Sequence, residues 1–309
     1  MTKILTDWDH THTALWGHQP IKLAHSMHKS PAFSLDHLAK LIENYPREHY
    51  SLMQTGVQDG KRIWRHGDIG DFNGRQVIDA ISKGGLWLNL REISDIDRSY
   101  HDLLAQMFEE VHAQRPDFTA PKFSAGLLIS APEAKVPYHS DLPGQGLIQI
   151  AGRKRVWIYP PTEPFLTTKF LEDVQLFEFE LDIPYADWYD RHATVIDLEP
   201  GYMLNWPLNA PHRVENLGTV NISMTVQFEN EAIRRARIVN LANGLLRNRF
   251  GWEPRSRALK GPSFFAKAVL QKALRNTSWV KRQRKARNQI EFRLDQNHPG
   301  QMVDLPKAA

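Results

Sequence analysis

Three residues carry the clearest chemical potential in this chain: His139 and Asp141, one residue apart, and the distant His212. In an extended segment, residues i and i+2 project to the same side, so His139 and Asp141 can share one metal ion. A third ligand must come from a strand that folds back beside them. His212 fits, because it follows the strand-like run Tyr202–Trp206 and a turn bounded by Pro207 and Pro211, and precedes a strand over 220–228. His192 is the rival, although Asp190-Arg191-His192 reads as a polar connection. Two imidazoles and one carboxylate on one face of an iron leave three positions open for a bidentate co-substrate and O2. The His-x-Asp/Glu pattern alone carries little weight, since chance supplies roughly one or two in a chain with this many His and acidic residues. Its other occurrence, His66-Gly67-Asp68, reads as a polar surface loop.

Lys154 is a second, independent signal. In the run Arg153–Tyr159, Lys154, Val156 and Ile158 share one face, and Arg153, Arg155, Trp157 and Tyr159 share the other. If the aliphatic face is buried, the ammonium requires an anion, because removing it from water unpaired costs several kcal/mol. If the aromatic face is buried, Lys154 points to solvent. The alternation leaves both readings open. On the strand over 220–228, Asn221, Ser223, Thr225 and Gln227 form a polar face opposite Ile222, Met224, Val226 and Phe228. That polar face suits either a barrel lumen holding a polar ligand or an ordinary half-exposed strand.

The elements that must position these residues fall into three stretches. Ser34 is placed to cap a helix over about 35–44, and Leu86–Leu90 reads as a strand. From Asp97, apolar residues from Tyr100 to Val111 recur at helical spacing and predict a helix that ends before Pro116. Short strands follow at 124–130, 145–151, 154–159, 194–198, 202–206 and 220–228, the pattern of an antiparallel sandwich or barrel. After Glu229 the pattern turns helical. Ala232, Ala236, Val239, Leu246 and Phe250 form one stripe, residues 264–275 another, and the tail from about Asn297 is expected to be loosely ordered.

Composition narrows the chemistry. The 309 residues include no cysteine, which excludes disulfides and Cys-ligated zinc or iron–sulfur centres in this chain. Nothing approaches 18 consecutive apolar residues, so a cytoplasmic protein with no membrane partner is expected. The net charge of +4 conceals an asymmetry: residues 232–309 hold 18 Lys+Arg against 4 Asp+Glu. A basic tail on an acidic body suggests an acidic partner such as nucleic acid or a ribosomal surface, or else a solvated helical face.

Longer matches complete the sequence reading. The stretches Pro137-Tyr138-His139-Ser140-Asp141, Gln149 to Pro161 (with Gly152-Arg153-Lys154-Arg155), Glu199 to Pro207 and Pro211 to Asn216 resemble the JmjC family of 2-oxoglutarate oxygenases, especially hydroxylases similar to factor-inhibiting HIF. His139 and Lys154 show that family's interval between its His-x-Asp and its lysine. The resemblance covers about residues 121–229. It implies a mainly β fold with helical additions: a cupin-like double-stranded β-helix (jelly roll) core at 121–229, an N-terminal α/β region at 1–120, and a basic C-terminal helical region at 230–309 that could mediate homodimerisation. It further implies Fe(II) held by His139, Asp141 and His212, 2-oxoglutarate anchored by Lys154 with Gln145 and Gln227 nearby, and O2 as oxidant. Val136 replaces a co-substrate-holding threonine, and Gly201-Tyr202 replaces the usual Gly-Asp. The implied activity is hydroxylation of a side chain in a protein or peptide. The alternatives are a nucleic-acid- or methyl-group-directed oxygenase (a demethylase), a cupin enzyme that does not use 2-oxoglutarate, and a non-catalytic cupin-like regulator.

Overall fold

The computed structural model describes residues 3–58, 61–178, 183–285, 290–298 and 300–306. Its strands are β1 (Ile21–Ala24), β2 (Tyr50–Gln58), β3 (Lys61–Asp68), β4 (Leu86–Leu90), β5 (Lys122–Ser130), β6 (Lys135–His139), β7 (Gly144–Ala151), β8 (Lys154–Ile158), β9 (Thr194–Leu198), β10 (Tyr202–Asn205), β11 (His212–Asn216), β12 (Asn221–Glu229), β13 (Ile290–Leu294) and β14 (Met302–Asp304). The helices are α1 (His10–Leu15), α2 (Leu35–Glu43), α3 (Gly74–Lys83), α4 (Ile93–Ile96), α5 (Arg98–Gln114), α6 (Thr168–Phe177), α7 (Glu231–Phe250), α8 (Gly261–Leu274) and α9 (Ser278–Lys285). Among the described residues, no helix is long and apolar enough to cross a membrane.

The strands form a 10-stranded sheet, ordered β1-β10-β7-β12-β5-β4-β2-β3-β13-β14, and a 4-stranded sheet, ordered β6-β11-β8-β9. Pairing is antiparallel throughout except between β13 and β3. One face of the large sheet carries Leu127, Ile129, Met224 and Val226, packed with Leu38, Ile81, Leu104 and Val111 of the helices in one hydrophobic core. Its other face meets the small sheet: Leu147 and Leu204 share a buried cluster with Val156, Ile158, Leu198 and Val214. The outer face of the small sheet is covered by a second cluster that includes Tyr138, Tyr159, Phe165 and Tyr189. The cupin-like jelly roll expected from the sequence is therefore present; α2, α3 and α5 lie on the large sheet, and α6 packs on the cluster outside the small one.

Local sequence explains the boundaries. Ser34 accepts a hydrogen bond from the His37 amide and caps α2, and Asp97 does the same for α5 from Ser99. At Gly152 the chain leaves the large sheet and enters the small one. Its φ of +73° and the 2.5 Å between a hypothetical Cβ and the Val220 carbonyl oxygen admit only glycine without strain. That corner sets the register of β8 and turns Lys154 inward.

Several expectations are corrected. The His66-Gly67-Asp68 stretch ends strand β3 and is not a surface loop; Gly67 is buried there against Phe292. In α7 the buried set is Ile233 and the continuous run 239–245, whereas Ala232 and Phe250 of the expected stripe are exposed. The run is buried because α7 packs against both α6 and α8. The C-terminal stretch is not wholly helical or loose, since β13 and β14 extend the edge of the large sheet with Phe292 fully buried. The expected loose tail reaches 307–309, which lie outside the described residues.

Replacing Gly152 by alanine should destabilise the fold by about 1–3 kcal/mol, the range for one strained backbone position. Urea unfolding followed by tryptophan fluorescence measures it, and an unchanged midpoint contradicts the role given to this corner.

Candidate active site

His139 closes β6 and His212 opens β11, and the two are direct cross-strand partners. This pairing brings their rings to 4.1 Å between centroids. Asp141 follows two residues after His139, and its Oδ2 lies 3.2 Å from His212 Nε2, with Oδ1 4.0 Å from His139 Nε2. One ligand atom from each of the three lies within 4.8 Å of the others, the one such His/Asp/Glu group found among the described residues.

The rings are held in a defined state. His139 Nδ1 lies 2.8 Å from the Pro137 carbonyl oxygen, and His212 Nδ1 lies 3.1 Å from that of Ala210. A carbonyl only accepts, so each Nδ1 carries the hydrogen and each Nε2 presents a lone pair to the carboxylate. Burial, together with the neighbouring His212, pushes His139 down to about 4, so it is neutral near pH 7. Burial alone would raise Asp141, but the facing His212 and His139 hold its carboxyl below the ordinary value. Two imidazole lone pairs and a carboxylate this close form an acceptor-only set that suits a divalent transition-metal cation. The donor set therefore fits the Fe(II) expected from the sequence.

A clasp that the sequence reading missed fixes the two ligand segments to each other. The buried Ser140 Oγ donates to the Asn209 carbonyl at 2.8 Å, and Asn209 Nδ2 donates back to the Asp141 carbonyl at 2.7 Å. Asn209 adopts a left-handed φ of +61°, which asparagine tolerates better than most residues. The signal was present as an asparagine inside the Pro207–Pro211 turn, but its partner is 68 residues away in the chain.

Lys154 lies on the buried face of β8 at 3% exposure, which settles its alternation in favour of the inward reading. Its neighbours across the ladder are Leu198 and Asn216, and among the described residues its ammonium has no ion pair or hydrogen bond. Burial alone lowers it to about 7.

The metal-ligand set and Lys154 line a single cavity of about 280 Å³ between the sheets. Gln145, Gln227, Thr225, Leu147, Val136 and Trp206 are among the other residues that line it. The buried Gln145 and the more exposed Gln227 pair across β7 and β12. Behind them the polar face of β12 serves two purposes. Thr225 and Gln227 face the cavity, whereas Asn221 and Ser223 join Gln149 in a buried network with bonds of 2.7 and 2.8 Å. His66, with Trp64 and Trp87, lines the cavity but does not join the ligand group. His192 sits in a 3-10 turn against Trp188 and Phe165, on the aromatic cluster outside the small sheet.

Comparison with known proteins agrees with this architecture. The model of the cupin-like domain family matches residues 17–233, and the chain belongs to that family. No match was found among curated protein sequences. Among solved structures, the chain is similar to YcfD, a ribosomal oxygenase from Escherichia coli, in complex with cobalt and 2-oxoglutarate. The identity is 17% and the TM-score 0.50, over 95% of this chain and 75% of that one. A second YcfD structure from E. coli gives 18% identity and a TM-score of 0.50, over 96% and 76% of the two chains. At these identities the likeness is one of fold.

The Ser140–Asn209 clasp should matter for metal affinity. Asn209→Ala should weaken Co(II) binding by about 10–100-fold, the usual effect of removing an outer-shell partner of a metal site. Isothermal titration measures it; Asn209→Gly, which keeps the left-handed backbone but not the hydrogen bond, should be similarly impaired. Full affinity in the glycine variant would show that only the backbone conformation matters.

Proposed function

We propose that this member of the cupin-like domain family is an Fe(II)- and 2-oxoglutarate-dependent oxygenase of the JmjC kind, which hydroxylates a side chain of a protein or peptide. The observation that carries this reading is the pairing, in one cavity, of an acceptor-only metal-ligand set with a buried lysine amine that has no anion among the described residues. A dicarboxylate co-substrate meets both needs, chelating a metal at one end and neutralising Lys154 at the other. The substrate class follows the E. coli neighbour, described as a ribosomal oxygenase. That description supports a protein substrate and a cytoplasmic setting.

Fe(II) with 2-oxoglutarate and O2 would supply the oxidising power that these side chains lack, releasing succinate and CO2. The residues of the chain position and shield. His139 and His212 offer Nε2 because Pro137 and Ala210 hold their Nδ1–H groups, and Asp141 contributes the negative charge. Lys154 binds the far carboxylate and so orients the near end toward the metal ligands. Gln145 and Gln227 are placed to hydrogen-bond the co-substrate from the large sheet. Leu147, Val136, Val214 and Trp206 keep the wall apolar, which strengthens the Lys154–carboxylate attraction by excluding water.

Purified protein given Fe(II), 2-oxoglutarate and ribosomal-protein peptides in air should form succinate and a +16 Da product, and His139→Ala should abolish both. Lys154→Ala should raise KM for 2-oxoglutarate about 30-fold or more, from an ion pair worth at least about 2 kcal/mol. Unchanged KM in that variant would contradict the assignment.

The same lysine predicts a pH dependence. Its pKa is lowered to about 7 in the free protein, and a bound carboxylate raises it, so binding takes up a proton above pH 7. Affinity for 2-oxoglutarate should therefore fall as pH rises above 7, by up to about tenfold per unit. The Lys154→Met variant should lose this slope, and a flat profile in the unaltered protein would contradict the charged-anchor role.

A further inference from the structure

The cavity that holds the metal ligands and Lys154 has a second end that the chemistry proposed above does not use. Its floor is the large sheet, and the strand order β7-β12-β5-β4-β2-β3 carries that floor across six strands. Gln145 and Gln227, assigned above to the co-substrate, stand on the first two of them. The last three present Trp87 and Asn89 of β4, Met53 of β2, and Trp64 and His66 of β3 to the same cavity. At the usual spacing of neighbouring strands, β4 lies about 10 Å and β3 about 19 Å from β12, which separates this end from the co-substrate contacts.

Register and alternation gather these side chains. Leu86, Leu88 and Leu90 of β4 enter the hydrophobic core, which turns Trp87 and Asn89 to the cavity. Trp87 is the cross-strand partner of Met53, and Met53 of His66, so the three form one row. Trp64 closes the corner, its ring 5.7 Å from that of Trp87 at 71°. Asn89 stands beside the row in a notch left by β5: a Cβ on Gly126 would come within 2.6 Å of Asn89 Oδ1. Two polar atoms of this corner are unmatched. Trp87 is 8% exposed, and neither its indole Nε1 nor the buried Oδ1 of Asn89 has a hydrogen-bond partner among the described residues. Trp64 differs, since its Nε1 donates to His66 Nε2 at 3.3 Å. Buried polar groups are nearly always bonded, and leaving a donor and an acceptor unmatched is costly.

The two atoms ask for opposite things, because an indole N–H only donates and a carboxamide oxygen only accepts. A cation satisfies Asn89 alone, and an anion satisfies Trp87 alone. An uncharged amide offers a carbonyl oxygen to one and an N–H to the other, and its flat faces pack against indole rings. We propose that Trp87, Asn89 and Trp64 form a substrate subsite that binds an amide group of the protein or peptide to be hydroxylated, with Trp87 Nε1 donating to its oxygen and Asn89 Oδ1 accepting from its nitrogen. The inference rests on the proposed function for its setting, and it makes these residues determinants of specificity and not of catalysis. A side-chain carboxamide and a main-chain peptide group share this chemistry, and the test separates them.

The test observes the indole directly and needs neither metal nor turnover. In 1H–15N correlation spectra of the full chain, the Nε1–H signal of Trp87 is identified by its absence from Trp87→Phe. Two probes are titrated to about 200 mM: propionamide for a side-chain carboxamide, and N-acetylglycine N′-methylamide for a peptide group. At least one should move that signal downfield along a saturable curve, and the tighter of the two names the source. Asn89→Leu, and the smaller Asn89→Ala, should each weaken binding about fivefold, the loss expected for one hydrogen bond, with thermal unfolding unchanged. Acetate and methylguanidinium, as charged controls, should bind more weakly by a similar factor. A signal that neither amide moves, a response indifferent to both Asn89 variants, or equal affinity for a charged control overturns the proposal. Succinate formation is measured separately on the unaltered protein. Turnover without the shift removes the subsite and leaves the proposed function standing, whereas the shift without turnover removes that function and leaves an amide-binding site.

Discussion

Three lone-pair donors held within a few ångströms of each other repel unless a cation lies between them. The Nδ1 hydrogens of His139 and His212 are committed to backbone carbonyls, which leaves Nε2 of each ring facing the Asp141 carboxylate. That arrangement must be compensated, by a proton at some expense or by a metal with satisfied geometry. The opposite imbalance exists in the same cavity, where among the described residues the Lys154 amine has no counter-ion to hold its proton. A metal bound to an anion that reaches the lysine resolves both imbalances together. The rest of the fold reads as the apparatus that keeps them unresolved until such partners arrive.

Two sheets do this better than one. Each ligand histidine sits on the small sheet, whose outer face is fixed by the aromatic cluster around Tyr138 and Tyr159. Tyr159, just past the end of β8, and Arg213 of β11 both bond Asp190, and Arg213 covers the Trp157 ring at 3.4 Å. The large sheet supplies the opposite wall and carries its own core against α2, α3 and α5. The cavity is thus bounded by two separately packed layers, and neither can shift without disturbing a hydrophobic core.

Much of this was legible in the sequence because it depends on local period and motif. The i, i+2 spacing of His139 and Asp141, the alternation around Lys154 and the strand at 86–90 all translate directly into structure. The orientation of Lys154 did not, because its strand presents two plausible inner faces and only the small sheet's packing chooses between them. Strand β3 was missed because His66-Gly67-Asp68 is polar, yet it forms hydrogen bonds with β2 and β13 and lines the cavity. The edge strands β13 and β14 were missed for a similar reason: short, charged segments take their conformation from a neighbouring sheet and not from their own composition. The Ser140–Asn209 clasp is invisible to any periodicity, being a contact between two loops.

The most direct measurement is anomalous diffraction from crystals grown anaerobically with Mn(II) and 2-oxoglutarate. The account predicts one strong manganese peak within bonding distance of His139 Nε2, His212 Nε2 and an Asp141 oxygen, with the far carboxylate of 2-oxoglutarate on Lys154 Nζ. Manganese bound elsewhere, or a co-substrate that leaves Lys154 without an anion, would contradict it.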